Sequence, residues 1–133
     1  MMNYVKSAAY TDFHKIYNQC SGPGGLKLAE YMAEKMGIQS GKKVVDIGIF
    51  KGYQTCFLAK EYDVDVVAVD PWEIDGIPQI EYLMENAKEF GVAHKVLGVK
   101  SGVPDTLLPS NYFDHAYCTT TLEMIRGMSG AKA

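Results

Sequence analysis

The chain has 133 residues, 47% of them hydrophobic and 22% charged, with a formal net charge of −3. That is enough chain for one domain with a real core, in an ordinary globular composition. The mildly acidic balance carries no phosphate-backbone footprint, which argues against a nucleic-acid partner. No apolar run approaches the ~18 residues of a membrane span, and the start MMNYVKSAAYTDF lacks the long apolar core of a secretory signal.

The first twenty residues are aromatic and mixed, with Tyr4, Tyr10, Phe13, His14 and Tyr17. The pattern predicts one short helix from Thr11, with Thr11 as its N-cap. Such an arm either packs on the domain or folds back as a lid over a ligand crevice. Ser21-Gly22-Pro23-Gly24-Gly25 breaks the chain. Leu28, Ala29, Met32, Ala33 and Met36 then form a helical stripe that stops at Gly37. Residues 1–40 are thus expected to be a helical arm and residues 41–133 a Rossmann-like core, together one domain.

Lys43–Ile47 (KVVDI) reads as a buried parallel strand. Gly48 to Gly52 is a tight loop, Tyr53–Tyr62 a helix, and Val64–Val69 a second strand closed by Asp70. A right-handed crossover joins the two strands. Pro71-Trp72-Glu73 follows, then a loop through Gly76 and Pro78. Ile80, Leu83, Met84, Ala87 and Phe90 space a second amphipathic helix, stopped by Gly91. Lys95–Val99 is a third strand, Phe113–Cys118 a fourth, and Leu122–Met128 a last helical segment capped by the threonines at 119–121. The fold class is α/β with a mostly parallel sheet flanked by helices. In such a sheet the ligand crevice lies at the carboxyl ends of the strands. Gly48, Gly52 and Asp70 all fall at that edge.

Cys20, Cys56 and Cys118 are odd in number and fit no metal-ligand spacing, so no metal site is expected. They read as reduced thiols used as small apolar residues in a cytoplasmic protein.

The loop Gly48-Ile49-Phe50-Lys51-Gly52-Tyr53-Gln54 is not a nucleotide phosphate cradle, because its glycines are too close and no Lys-Ser or Lys-Thr follows. Nor is it a dinucleotide loop, since the second and third glycines of that pattern are missing. What remains is D-x-G-x-x-x-G with an acid closing the next strand. This resembles the first motif of class I S-adenosylmethionine-dependent methyltransferases of the small-molecule type. Asp46, Gly48 and Gly52 match the loop, and Asp70 matches the strand-end acid that takes the ribose hydroxyls. The likeness extends from PGGLKLAEYMAEKMGIQSGKKVVDIG through NYFDHAYCTTTLEMIRG, roughly Gly22 to Gly127.

The chemistry suits the residues. Glycine allows close backbone approach, and a carboxylate accepts strong hydrogen bonds from two hydroxyls. A negative site also suits a sulfonium cation. The resemblance implies S-adenosylmethionine as cofactor, S-adenosylhomocysteine as product and a small-molecule methyl acceptor. The implied cofactor residues are Asp46, Gly48, Ile49, Gly52, Asp70, Pro71, Trp72, Ser101 and Thr119. Trp72 would either lie along the adenine face or simply pack. If the acceptor needs a base, His14, Tyr10 and Tyr17 of the arm are the candidates. His115, inside the fourth strand, reads as a core histidine, and His94 as surface.

Three departures stand out. Phe50 replaces the middle glycine of the loop, and its ring either blocks the cofactor or swings outward. Ser101-Gly102 stands where many relatives carry an acid for the adenine amine. The family sheet also continues past the fourth strand, whereas this chain stops at Ala133. With the family strand order third–second–first–fourth, the fourth strand would be an open edge that seeks a partner. A shortened protein, a half completed by another chain, or a homodimer through that edge would each explain this. The alternative to an enzyme is a non-catalytic remnant of the fold, acting as a subunit or interaction module.

Overall fold

A computed structural model describes residues 3–20, 24–103 and 108–118. Three helices come first: α1 (Val5–Ala8), α2 (Phe13–Gln19) and α3 (Gly25–Met36). Then follow β1 (Lys43–Ile47), α4 (Tyr53–Glu61), β2 (Asp65–Val69), the short strands β3 (Glu73–Ile74) and β4 (Ile77–Pro78), α5 (Gln79–Phe90), a 3-10 turn (Ala93–Lys95), β5 (Val96–Val99) and β6 (His115–Tyr117).

The main sheet has the order β5-β2-β1-β6, with every pair parallel. That is the third–second–first–fourth arrangement expected from the sequence. Burial alternates along β1 and most of β2, so among the described residues one face of the sheet is packed and the other is more open. Val44 and Asp46 of β1 and Val66 and Ala68 of β2 are buried against the helical layer. At Gly98 of β5 an added Cβ would stand 2.4 Å from Ile80 of α5. The opposite face carries Val45, Ile47, Val67, Leu97 and Val99, and Leu97 is 60% exposed.

The helix α4 is buried along seven consecutive residues, Tyr53 to Ala59, not on one apolar side alone. It is enclosed by α3, α5 and the sheet, which explains why Gln54 and Thr55 are inside with Phe57 and Leu58. Gly52 makes the approach of α5 possible. Its φ is +78°, and a Cβ there would meet Leu83 Cα at 2.9 Å and Leu83 Cδ1 at 2.5 Å.

Several sequence expectations shift. The arm helix is capped by Asp12, whose carboxylate accepts from the Lys15 amide, so Thr11 lies one residue outside the cap. The preceding turn α1 was not expected; it exists because α3 holds it. Glu30 of α3, buried, accepts from the amides of Lys6 and Ser7 and from the Ser7 hydroxyl at 2.7–3.0 Å. The hairpin β3–β4 replaces the expected loop, turning at Asp75 and Gly76, both in left-handed backbone. The third strand starts at Val96 because 92–95 are drawn into a 3-10 turn, Lys95 N donating to Val92 O. The fourth strand is shorter than expected: Asp114 is still outside it, accepting from the Lys43 amide. The expected helix Leu122–Met128 lies outside the described residues.

Candidate functional site

The first strand and its loop form a closed corner at the carboxyl edge of the sheet. The Gly48 amide donates to Val69 O, and the Gly52 amide donates to Ile49 O, both at 2.8 Å. Gly48, Phe50 and Gly52 all have positive φ, at 74°, 51° and 78°. The backbone thus bends left-handed at every second residue of the loop. Phe50 takes the conformation a glycine would take for free, at a cost of about 1–2 kcal/mol. Asn86 of α5 ties the loop down, donating to Lys51 O at 2.8 Å.

Asp70 sits inside this corner and is 1% exposed. One carboxylate oxygen accepts from the Ile49 amide at 2.9 Å and the other from the Trp72 amide at 2.8 Å. Burial pushes its carboxyl up, and the amides of Ile49, Trp72 and Phe50 pull it back toward the charged form. Its backbone amide donates to Val99 O, which brings the end of β5 alongside. There Gly102 packs near Pro71, with Ser101 beside it. Trp72 is exposed at the rim.

Asp46 lies deeper, 2% exposed, with one oxygen accepting from the Thr55 hydroxyl at 2.8 Å. Its other oxygen, and the hydroxyl of Tyr117 opposite it in the β1–β6 register, are buried with no hydrogen-bond partner among the described residues. Burial pushes the Asp46 carboxyl up to about 7, and the nearby Asp70 charge adds to the shift.

The structure therefore gathers Asp46, Gly48, Ile49, Gly52, Asp70, Pro71, Trp72 and Ser101 at one sheet edge. Thr119 lies outside the described residues. The arm candidates part company. Tyr10 is unsuited as a base: its ring packs against Phe57 and Phe90, its hydroxyl donates to Glu61 at 2.6 Å, and burial raises its pKa further. His14 is exposed, in contact with Asn18 on its own helix. Tyr17, also exposed, lines a cavity of about 1140 Å³ between the arm and the loop. Phe50 lines the same cavity, and the Lys51 ammonium lies 5.5 Å from the centre of its ring. His115 is half-buried, on the strand that is the sheet's edge among the described residues, rather than in the core.

Glu30, Thr55 and Asn86 shape the site and were missed in the sequence. Asn86 carries the one available signal, a polar side chain set among Leu83, Ala87 and Phe90 on the apolar stripe of α5. Among the described residues no cluster of His, Cys, Asp or Glu could hold a metal ion.

No family model matches the chain. Among curated proteins it is 27% identical over 118 residues to phosphoethanolamine N-methyltransferase 1 of Arabidopsis thaliana, covering 88% of this chain and 23% of that protein. It is 33% identical over 87 residues to the sterol 24-C-methyltransferase erg6 of Aspergillus fumigatus, covering 65% of this chain and 22% of that protein. The chain thus spans less than a quarter of the length of these relatives. Among solved structures, a methyltransferase from Thiobacillus denitrificans in complex with S-adenosylhomocysteine superposes with a TM-score of 0.65 at 17% identity, over 92% of this chain and 49% of that one. This chain is thus similar in sequence to methyltransferases, and by the order of its sheet it has a Rossmann-like fold that matches part of the length of those proteins.

Proposed function

We propose that the chain binds S-adenosylmethionine at the Gly48–Asp70 corner and serves methyl transfer to a small-molecule acceptor. The observation that carries this reading is the left-handed loop at 48, 50 and 52 folded onto the Asp70 carboxylate. Such a bend brings peptide groups, not side chains, to the surface a nucleoside would meet. The Asp70 oxygens accept three amides between them, and the four acceptor sites of a carboxylate leave one for a ribose hydroxyl. The buried, unpartnered oxygen of Asp46 is a second group that a polar cofactor atom would satisfy. Trp72 and Ser101 would flank the base, and Thr119 the methionine end. When bound, the cofactor supplies an electrophilic methyl group on a sulfonium. The protein's part in such an in-line displacement is to position the reactants and exclude water.

A small acceptor is supported by the acidic net charge and by the acceptors named for the curated relatives. No helix among the described residues is long and apolar enough to cross a membrane, and the three cysteines are free thiols, as suits a reducing cytoplasm. β6 is the edge strand of the sheet among the described residues, and we place a second copy or a partner chain there. Light scattering that gives a clean monomer at high concentration counts against that contact.

A second reading has its own support. Asp70 already has both oxygens engaged and is shut from solvent, as in a corner closed for good. The chain would then be a non-catalytic module of the same fold. Thermal denaturation with S-adenosylhomocysteine decides between them. At ~100 times its dissociation constant the ligand adds ~2.7 kcal/mol to the native state. A clear rise in Tm is the expected result; none at millimolar ligand leaves the module reading.

A further inference from the structure

The cavity between the arm and the glycine loop has a composition that selects its occupant. We propose that it receives the methyl acceptor, and that this acceptor is a flat or extended apolar molecule bearing an anionic group. The inference rests on the methyltransferase reading of the neighbouring corner. Five aromatic residues line the cavity: Tyr4, Tyr10, Phe13, Tyr17 and Phe50. They come from separate pieces of chain. Tyr4 and Tyr10 flank α1, Phe13 and Tyr17 stand one turn apart on α2, and Phe50 comes from the loop that meets Asp70.

Two of these residues line the concavity while largely open to water. Phe13 is 72% exposed and Tyr17 87%. Apolar rings held around a hollow gain by losing that surface to a ligand, and most of a small ligand's binding energy comes from such contact. Phe50 joins the hollow to the cofactor corner, so a molecule lying against the rings ends beside the loop.

Charge decides the rest. Lys27 is the one charged side chain among the described lining residues, and its ammonium lies 4.7 Å from the centre of the Tyr4 ring. No carboxylate lines the cavity among the described residues. Glu30 and Glu61 reach the same elements but do not line the hollow; their oxygens accept from the Lys6 and Ser7 amides and from the Tyr10 hydroxyl. A cationic acceptor would find rings but no counter-charge, and would meet the Lys27 ammonium. An anion finds that ammonium on a surface otherwise apolar.

Three probes of one shape test this: naphthoate, neutral naphthamide and cationic naphthylmethylammonium, followed by the anisotropy of the naphthalene fluorescence. Naphthoate is expected to bind about tenfold tighter than the cation, with the amide between them. Added salt should narrow the gap. Lys27 is exposed, so Lys27→Gln keeps the fold; it should bind naphthoate and naphthamide equally while leaving naphthamide affinity unchanged. Tyr17→Ala, at a ring already in solvent, should weaken all three several-fold. A cation that binds as well as naphthoate overturns the proposal, since the rings would then be acting as a cage for positive charge. So does unaltered binding in Tyr17→Ala. Thermal shifts with S-adenosylhomocysteine on the same samples separate the two ideas. A shift without charge discrimination sinks only the acceptor class. Discrimination without a shift sinks only the cofactor reading.

Discussion

At the scale of single residues, the corner is a carboxylate holding its own loop together. Asp70 is reached by the Ile49, Phe50 and Trp72 amides, so its first task is to fix the bend that makes the site. Any ribose it accepts is an addition to those bonds. Asp70→Ala therefore does two things at once. It strands buried amides, at about 1–3 kcal/mol for each one left unpaired. It also removes the acceptor proposed for the nucleoside. A Tm several degrees below that of the parent chain is expected, together with no response to S-adenosylhomocysteine. A variant of unchanged Tm would mean that the loop stands without its acid and that Asp70 is free for the ligand alone. Phe50 shows the same economy from the opposite side. The backbone there is left-handed whether or not a glycine supplies it, because Asp70, Asn86 and the Gly52–Ile49 hydrogen bond close the loop around it.

Among elements, the arm is attached by one buried acid. α1 is a single turn, far too short to persist alone. Glu30 on α3 accepts its first free amides, a cap supplied by another helix. Burial pushes the Glu30 carboxyl up, but the bonds from Ser7 and Lys6 outweigh it and hold the carboxyl below its usual range. The sign follows: this attachment is at full strength above the ordinary glutamate range and is lost as pH falls through the lowered value. Glu30→Gln leaves one acceptor oxygen where two are used. The arm is expected to loosen, with a loss of about 1–3 kcal/mol and faster proteolysis near Lys6, while the sheet stays folded. Cleavage at the parent rate would show that the aromatic contacts of Tyr10 hold the arm unaided. The cavity should fail with the arm, because Tyr4, Phe13 and Tyr17 all belong to it.

For the molecule as a whole, the sheet was legible because it is written in local signals. Lys43–Ile47 and Asp65–Val69 are β-branched runs, a helix of the right length lies between them, and the crossover rule then sets their neighbours. The hairpin 73–78 was not, because two-residue strands carry no period. The role of Glu30 was not, because an acid among helix residues reads as solvated until a partner 23 positions away is in place. That Asp70 would lie at the corner was readable; that it would be shut inside was not, since closure depends on the fold of the whole loop. These buried acids also set how stability answers to pH, and they pull in opposite directions. Glu30 favours the native state above its usual range. Asp46 does the reverse, its carboxyl pushed by burial from 3.8 to about 7. Between those values the native state holds a proton that the unfolded chain has lost, so stability falls as pH rises, and levels off above about 7. Asp46→Asn keeps an acceptor for Thr55 and removes the charge. Melting curves of both proteins should agree best at about pH 4 and diverge as pH rises toward about pH 8, with the asparagine variant higher by several degrees. Parallel curves would place Asp46 in contact with solvent or with a partner for its second oxygen, and the orphaned atom beneath the glycine loop would no longer be a place for a cofactor to satisfy.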